Sequence, residues 1–133
     1  MQGLDTNVLV RFLLKDDARQ ARLAKAEIDR ANAAGETLLV SLLTVLETEW
    51  VLRTRAGLEK ADIIRTFKQL LEARDLAFDD EAALEGGLHA YENSKADFAE
   101  CLMMAHYLGL GCSTMLTFDA AAAKVPGCKL LTA

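Results

Sequence analysis

An α/β fold around a mostly parallel sheet is what this sequence of 133 residues predicts. Three observations carry it. Short apolar runs of strand length alternate with longer segments of helical periodicity, the pattern of parallel strands covered by helices. Acids stand at the starts of several helical segments, and glycines follow their ends. A single proline and eight glycines leave the element interiors largely unbroken. The length suits one domain spanning 1–133, with no repeat, linker or low-complexity tract.

The elements follow in order. The run before Asp5 suits a very short strand, and Val8 to Leu14 opens a helix. Asp16 and Asp17 precede "ARQARLAKAEIDRANAAG", a helix with Gly35 just past its end. "TLLVS" suits a buried strand. "LLTVLETEWVLRTRAG" is helical and stops at Gly57, and "EKADIIRTFKQLLEA" is a further amphipathic helix. "DLAF" is a short strand, and Asp80 is placed to cap the helix "EAALEGGLHAYENS". "ADFAECLMMAHYLG" is a helix, "STMLTF" a strand, "DAAAAKV" a short helix and "KLLTA" a last strand.

Composition sets limits. With 52% apolar and 26% charged residues the chain is globular rather than disordered. No apolar stretch approaches a membrane span, and no leader pattern opens the sequence. Cys101, Cys112 and Cys128 are an odd number without C-x-x-C spacing. They fit neither a disulfide framework nor a zinc site, so a reducing cytoplasm and three small core residues are expected. Trp50 and Phe12 are expected in the core too. His106 falls opposite the Asp97 face of its helix and is expected at the surface or an interface; His89 has no motif around it.

The acids can be placed on these elements. Asp5 sits at a strand-to-helix junction, where it caps a helix or belongs to a site. Leu43, Leu46 and Trp50 define an apolar stripe, and at about 100° per residue Glu47 falls on it. A carboxylate beside the core costs free energy unless something compensates it or its end reaches water. Glu49 falls outside that stripe, one turn before Arg53, a favourable pair on a solvated face. Asp97 and Glu100 are neighbours on one helix face with Cys101, Met104 and Leu108. They have capping-box spacing, as do Ser94 and Asp97. Asp119 ends a strand and starts a helix, a good N-cap position.

Each acid thus has a local explanation. What capping leaves unexplained is their expected convergence. In parallel α/β sheets the carboxyl ends of the strands share one edge, and sites form there. Asp5 and Asp119 fall at strand ends, Asp97 and Glu100 open a helix, and Glu47 follows the strand "TLLVS" by a few residues. Carboxylates crowded at one edge repel each other and call for protons or a hard cation. All-oxygen donors without His or Cys suit Mg²⁺ or Mn²⁺.

"LDTNVLVRFLLKDD", "VSLLTVLETEWVLR", "KADFAECLMMAHYLGLGC" and "TMLTFDAAAAKVPGCKLLT" resemble the four acidic motifs of PIN domain proteins. The resemblance is strongest to the VapC toxins of bacterial toxin–antitoxin pairs and runs from Leu4 to Thr132. It implies a PIN-like three-layer sandwich with a mostly parallel central sheet flanked by helices. It implies a metal-dependent endoribonuclease using Mg²⁺ or Mn²⁺, with an RNA substrate, a small antitoxin partner and a homodimeric, cytoplasmic state. By resemblance Asp5, Glu47, Glu100 and Asp119 are the catalytic, metal-binding acids, and Asp97 matches an extra metal-binding acid. Thr6, Asn7 and Thr117 match polar positions that hold the carboxylates by hydrogen bonds. One departure matters: the family usually carries aspartate where this chain has Glu100. Glutamate is one methylene longer, which leaves the third ligand role open between Glu100 and Asp97.

A net charge of −5 argues against an extended nucleic-acid footprint. Arg11, Arg53, Arg55, Lys60, Arg65, Lys68, Lys95 and Lys124 either line a groove beside the acids or form ordinary solvated faces. Two other functions stay open. One is a phosphoacceptor or aspartate phosphotransferase with Asp5 as nucleophile, which leaves Glu47 and the Asp97–Glu100 pair without a role. The other is a catalytically silent PIN-like binding scaffold, which the Glu100 departure favours.

Overall fold

The computed structural model describes residues 1–132. The chain divides into two compact units, Met1–Asp79 and the residues from Asp80 onward.

The first unit runs β1 (Gln2–Gly3), α1 (Thr6–Leu14), α2 (Ala18–Ala33), β2 (Leu38–Val40), α3 (Leu42–Thr54), α4 (Lys60–Glu72) and β3 (Leu76–Phe78). Its sheet has the order β1-β2-β3, with Gln2 paired to Leu38 and Leu38 to Leu76, all parallel. Parallel neighbours cannot be joined by a hairpin, so a pair of helices fills each crossover. The helix starts are chemically marked: Asp5, Asp17 and Ser41 each accept a backbone N–H of the first turn. Gly57 follows α3 at φ +66°, a left-handed position that glycine adopts without a steric penalty. Ile28, Ala31 and Leu38 form a buried cluster against which Leu4, Phe12 and Leu76 pack.

The second unit runs α5 (Glu81–Glu92), α6 (Phe98–Gly109), β4 (Met115–Thr117), a 3-10 turn (Ala122–Lys124) and β5 (Cys128–Leu130). Asp80 caps α5 by accepting the Ala83 N–H at 3.0 Å, as the sequence leads one to expect. The helices α5 and α6 cross closely at Gly87, where an added Cβ would stand 3.0 Å from Leu102 Cα. Tyr91 and Phe98 meet edge to face, with ring centroids 5.5 Å apart. The strands β4 and β5 pair in parallel, Met115 against Cys128. The last strand begins and ends earlier than "KLLTA" suggests, and Ala133 lies outside the described residues.

Every strand pairing among the described residues is parallel and six α-helices accompany them, so the expected α/β class holds. No described helix is long and apolar enough to cross a membrane.

Three side-chain expectations are corrected. Leu43 is 79% exposed and Trp50 is 48% exposed, with the Arg55 guanidinium 5.5 Å from the Trp50 ring centroid. The buried face of α3 is instead Val45, Thr48, Glu49 and Leu52. Apolar residues surround most of this helix, so periodicity alone selects no face. Glu49, expected on a solvated face, is therefore buried, and Glu47, expected beside the core, is exposed. Of the cysteines Cys101 is buried, Cys128 is half-buried and Cys112 is exposed on the turn after α6.

Candidate functional site

In the first unit Asp5 follows β1 and caps α1, with Oδ1 accepting the Thr6 N–H at 2.7 Å. Its side chain is otherwise exposed. The chain before it is held from both directions. The Leu4 N–H donates to Leu39 O at 2.9 Å, and the Thr44 hydroxyl donates to Leu4 O at 3.2 Å. Thr44 lies in the first turn of α3, where its N–H donates to Ser41 Oγ at 3.2 Å. The Asp79 carboxylate accepts the Leu42 N–H at 2.8 Å and completes that cap. Glu47 stands three residues after Thr44, hence on the same face of α3. The helix face that carries Glu47 thus reaches the residue before Asp5. The geometry comes from a strand-end carbonyl and a threonine hydroxyl, not from the apolar stripe that the sequence suggests.

Of the polar residues expected to hold Asp5, Thr6 is buried and gives its backbone N–H, whereas Asn7 is exposed. Ser41 and Thr44 take no part in the sequence reading. The spacing Ser41–Thr44–Glu47, three and three along one helix face, is the signal that points to them.

In the second unit Asp97 and Glu100 form the expected capping box at the start of α6, with the Asp97 N–H donating to Glu100 Oε2 at 3.3 Å. Asp119 follows β4. Its N–H donates to Thr117 Oγ1 at 3.0 Å, and its Oδ1 accepts the N–H groups of Ala121 and Ala122 at 2.8 and 3.0 Å. Thr117, expected to hold a carboxylate, instead holds the backbone N–H of Asp119. Burial, then the nearby Asp119 carboxylate, and to a lesser degree Asp97 push the Glu100 carboxyl above its ordinary pKa, against the hydrogen bond from Asp97. The Cys128 thiol on β5 is raised by burial and by Glu100, so it too neighbours this acid. That neighbour is invisible in the sequence, where 28 positions separate the two.

Within this unit the local and the functional readings coexist. The residues that cap α6 and the 3-10 turn also bring the charges of Asp119 and Asp97 close enough to act on Glu100. Among the described residues no group of three or more His, Cys, Asp or Glu side chains is gathered tightly enough to form a metal cage. The donor chemistry nonetheless fits a hard divalent cation: carboxylate oxygens, exposed or half-exposed, with one carboxyl destabilised as an anion by burial and by Asp119.

His106, expected at the surface or an interface, places Nδ1 2.9 Å from Asp80 Oδ2 and draws that carboxyl below its ordinary range. Of the cations left open between a groove beside the acids and ordinary solvated faces, three are engaged with other partners. Arg11 bonds Asp16 and Gln20, Arg53 pairs with Glu49, and Arg65 pairs with Asp62.

None of the curated proteins compared matches the chain. A family model described as PIN domain matches residues 4–127, a span that contains Asp5, Glu47, Asp97, Glu100 and Asp119. With acids at two strand ends and two helix starts, and with that match over nearly its whole length, the chain belongs to the PIN domain family, a nuclease family.

Proposed function

We propose that this chain is a metal-dependent endoribonuclease that hydrolyses RNA phosphodiester bonds as the toxin of a toxin–antitoxin pair. A small antitoxin protein is its partner, a homodimer its working form and the cytoplasm its compartment. The observation that carries the nuclease reading is the state of Glu100. A carboxyl raised first by burial and then by the nearby Asp119 carboxylate supports a cation bound there over free anions.

Asp5, Glu47, Glu100 and Asp119 are assigned as the catalytic acids, with Asp97 as a further ligand to Mg²⁺ or Mn²⁺. When bound, the cation supplies an activated water and stabilises charge on the leaving oxygen. The chain's own groups orient the acids. The Asp97 N–H fixes one oxygen of Glu100, Thr117 fixes the backbone of Asp119, and Thr44 fixes the carbonyl preceding Asp5. The toxin role rests on the resemblance of the motif segments to VapC proteins.

Incubation of the chain with end-labelled RNA, with Mg²⁺ and with a chelator, tests the reaction. Metal-dependent fragments ending in a 3′-hydroxyl, with a 5′-phosphate on the other product, are expected. A radiolabelled phosphoryl group on Asp5 without RNA cleavage would support the phosphotransferase instead. Intact RNA with Mg²⁺ and Mn²⁺ alike would leave the silent scaffold.

A further inference from the structure

Phe118 is 82% exposed. Its backbone is nonetheless held on both sides. Thr117 Oγ1 accepts the Asp119 N–H, and the Asp119 carboxylate and carbonyl accept the N–H groups of Ala121, Ala122 and Ala123. Single apolar residues on a surface are ordinary. A large ring presented to water from a braced backbone, directly before a motif acid, is less so.

Its surroundings have the same character. Leu116 lies two residues earlier, on one face of β4, and is 61% exposed. Leu116 pairs with Lys129 of β5, which is also exposed and shares that face. An exposed ring directly before Asp119 thus follows a strand that pairs an exposed aliphatic side chain with an exposed ammonium group. On a chain of net charge −5 this combination suits one kind of ligand well: a flat, weakly polar ring joined to an anion. Nucleobases stack on aromatic side chains irrespective of sequence, and lysines follow the phosphates.

We propose that Phe118 is a stacking residue for a nucleobase of single-stranded RNA next to the bond that is cut. The inference rests on the nuclease reading of Asp119 and Glu100. Phe118 directly precedes Asp119 in the chain, so a base next to a phosphate held by that acid is the one the ring is placed to meet. A second copy of the chain seated on Leu116 and Phe118 is the competing occupant.

The probe is a set of ten-nucleotide single-stranded RNAs carrying 2-aminopurine at successive positions. An Asp5→Asn background with Mg²⁺ keeps the probe whole. Binding is expected to quench 2-aminopurine at one or two positions. Phe118→Leu, which keeps apolar bulk at an exposed position, should relieve the quench and weaken binding about tenfold. Phe118→Trp should restore both. In the otherwise unaltered chain Phe118→Leu should raise KM by a similar factor with a smaller change in kcat. A quench and an affinity indifferent to Phe118→Leu overturn the proposal. So does a Phe118→Leu chain that sediments as a smaller species than the unaltered one, because the face then belongs to a second copy. The two readings fail separately. Cleavage without a Phe118-dependent quench removes the stacking residue alone, and a Phe118-dependent quench without cleavage removes the nuclease alone.

Discussion

Glu49 and Arg53, one turn apart on α3, form an ion pair whose acid is buried and whose base is half-exposed. Arg53 Nε donates to Glu49 Oε2 at 2.8 Å, and Glu49 retains only 3% of its accessible surface. The guanidinium therefore satisfies the carboxylate from the solvent side. This arrangement keeps the charge of Glu49 in the buried stripe of Val45, Thr48 and Leu52.

Glu49 and Glu47 should consequently fail in different ways. Glu49→Gln removes the charge that Arg53 neutralises and should cost about 1–2 kcal/mol of stability. Glu47→Gln, on an exposed face, should leave the melt unchanged. Its effect should appear in weaker Mn²⁺ binding by calorimetric titration and in lost cleavage. Paired melts and titrations on the two variants check this. A Glu47→Gln chain that binds Mn²⁺ like the unaltered one would remove Glu47 from the ligand set.

Thr48 lies beside Glu49 with its hydroxyl buried and without a hydrogen-bond partner among the described residues. Thr54 and Thr66, by contrast, donate to the carbonyls one turn earlier. An unsatisfied buried hydroxyl carries a desolvation penalty that an isosteric methyl group lacks. Thr48→Val should therefore leave the fold intact and raise its stability by about 1 kcal/mol. A destabilised Thr48→Val chain in urea titration would show that the hydroxyl finds a partner in solution.

Asp80 provides a pH-dependent contact. Its Oδ2 meets His106 Nδ1 and its Oδ1 caps α5, and both lower the carboxyl pKa, His106 more strongly. A carboxyl lowered in the folded state stabilises above its unfolded pKa, and that contribution is lost as pH falls through the folded value. The contact should thus be intact at pH 5 and lost below the ordinary carboxylate range. His106→Ala should lower stability by about 0.5–1 kcal/mol at pH 5. The two chains should converge once the pH has fallen through the lowered Asp80 value, where the carboxyl is protonated in both. Parallel stability curves across that span would show that Asp80 gains nothing from His106.

How much of this was legible in the sequence depends on how far each contact reaches. Asp17 and Asp80 announce their helices because an N-cap acts within three residues. Asp97 and Glu100 read correctly as a capping box for the same reason. The face of α3 did not read correctly. Leucine, valine and tryptophan lie all round it, and the depth of Glu49 follows from packing that no periodicity records. The ties that place the acids were equally hidden. Thr44 to Leu4 spans 40 positions, and His106 to Asp80 spans 26. Such contacts exist only once the strands are in register. The candidate acids stand out in the sequence by residue type, whereas the Ser, Thr and backbone N–H groups that hold the chain around them are ordinary.

Asp5 allows the functional and capping readings to be separated in one residue. Its Oδ1 accepts the Thr6 N–H at 2.7 Å, a bond that an asparagine oxygen makes as well. Asn and Asp are near-equal N-caps, so Asp5→Asn should fold normally, with a stability within about 0.5 kcal/mol of the unaltered chain or above it. What asparagine cannot supply is the second anionic oxygen that a hard cation needs. Cleavage should therefore fall by about a hundredfold or more, and Mn²⁺ binding should weaken in the same preparation. Asp5→Ala completes the set. It removes the cap too, so it should lose cleavage and about 1 kcal/mol of stability together. A melt, a titration and a cleavage assay on both variants decide the matter. If Asp5→Asn cleaves RNA at the full rate while Asp5→Ala is merely less stable, Asp5 is a helix cap and the first acid of the site lies elsewhere.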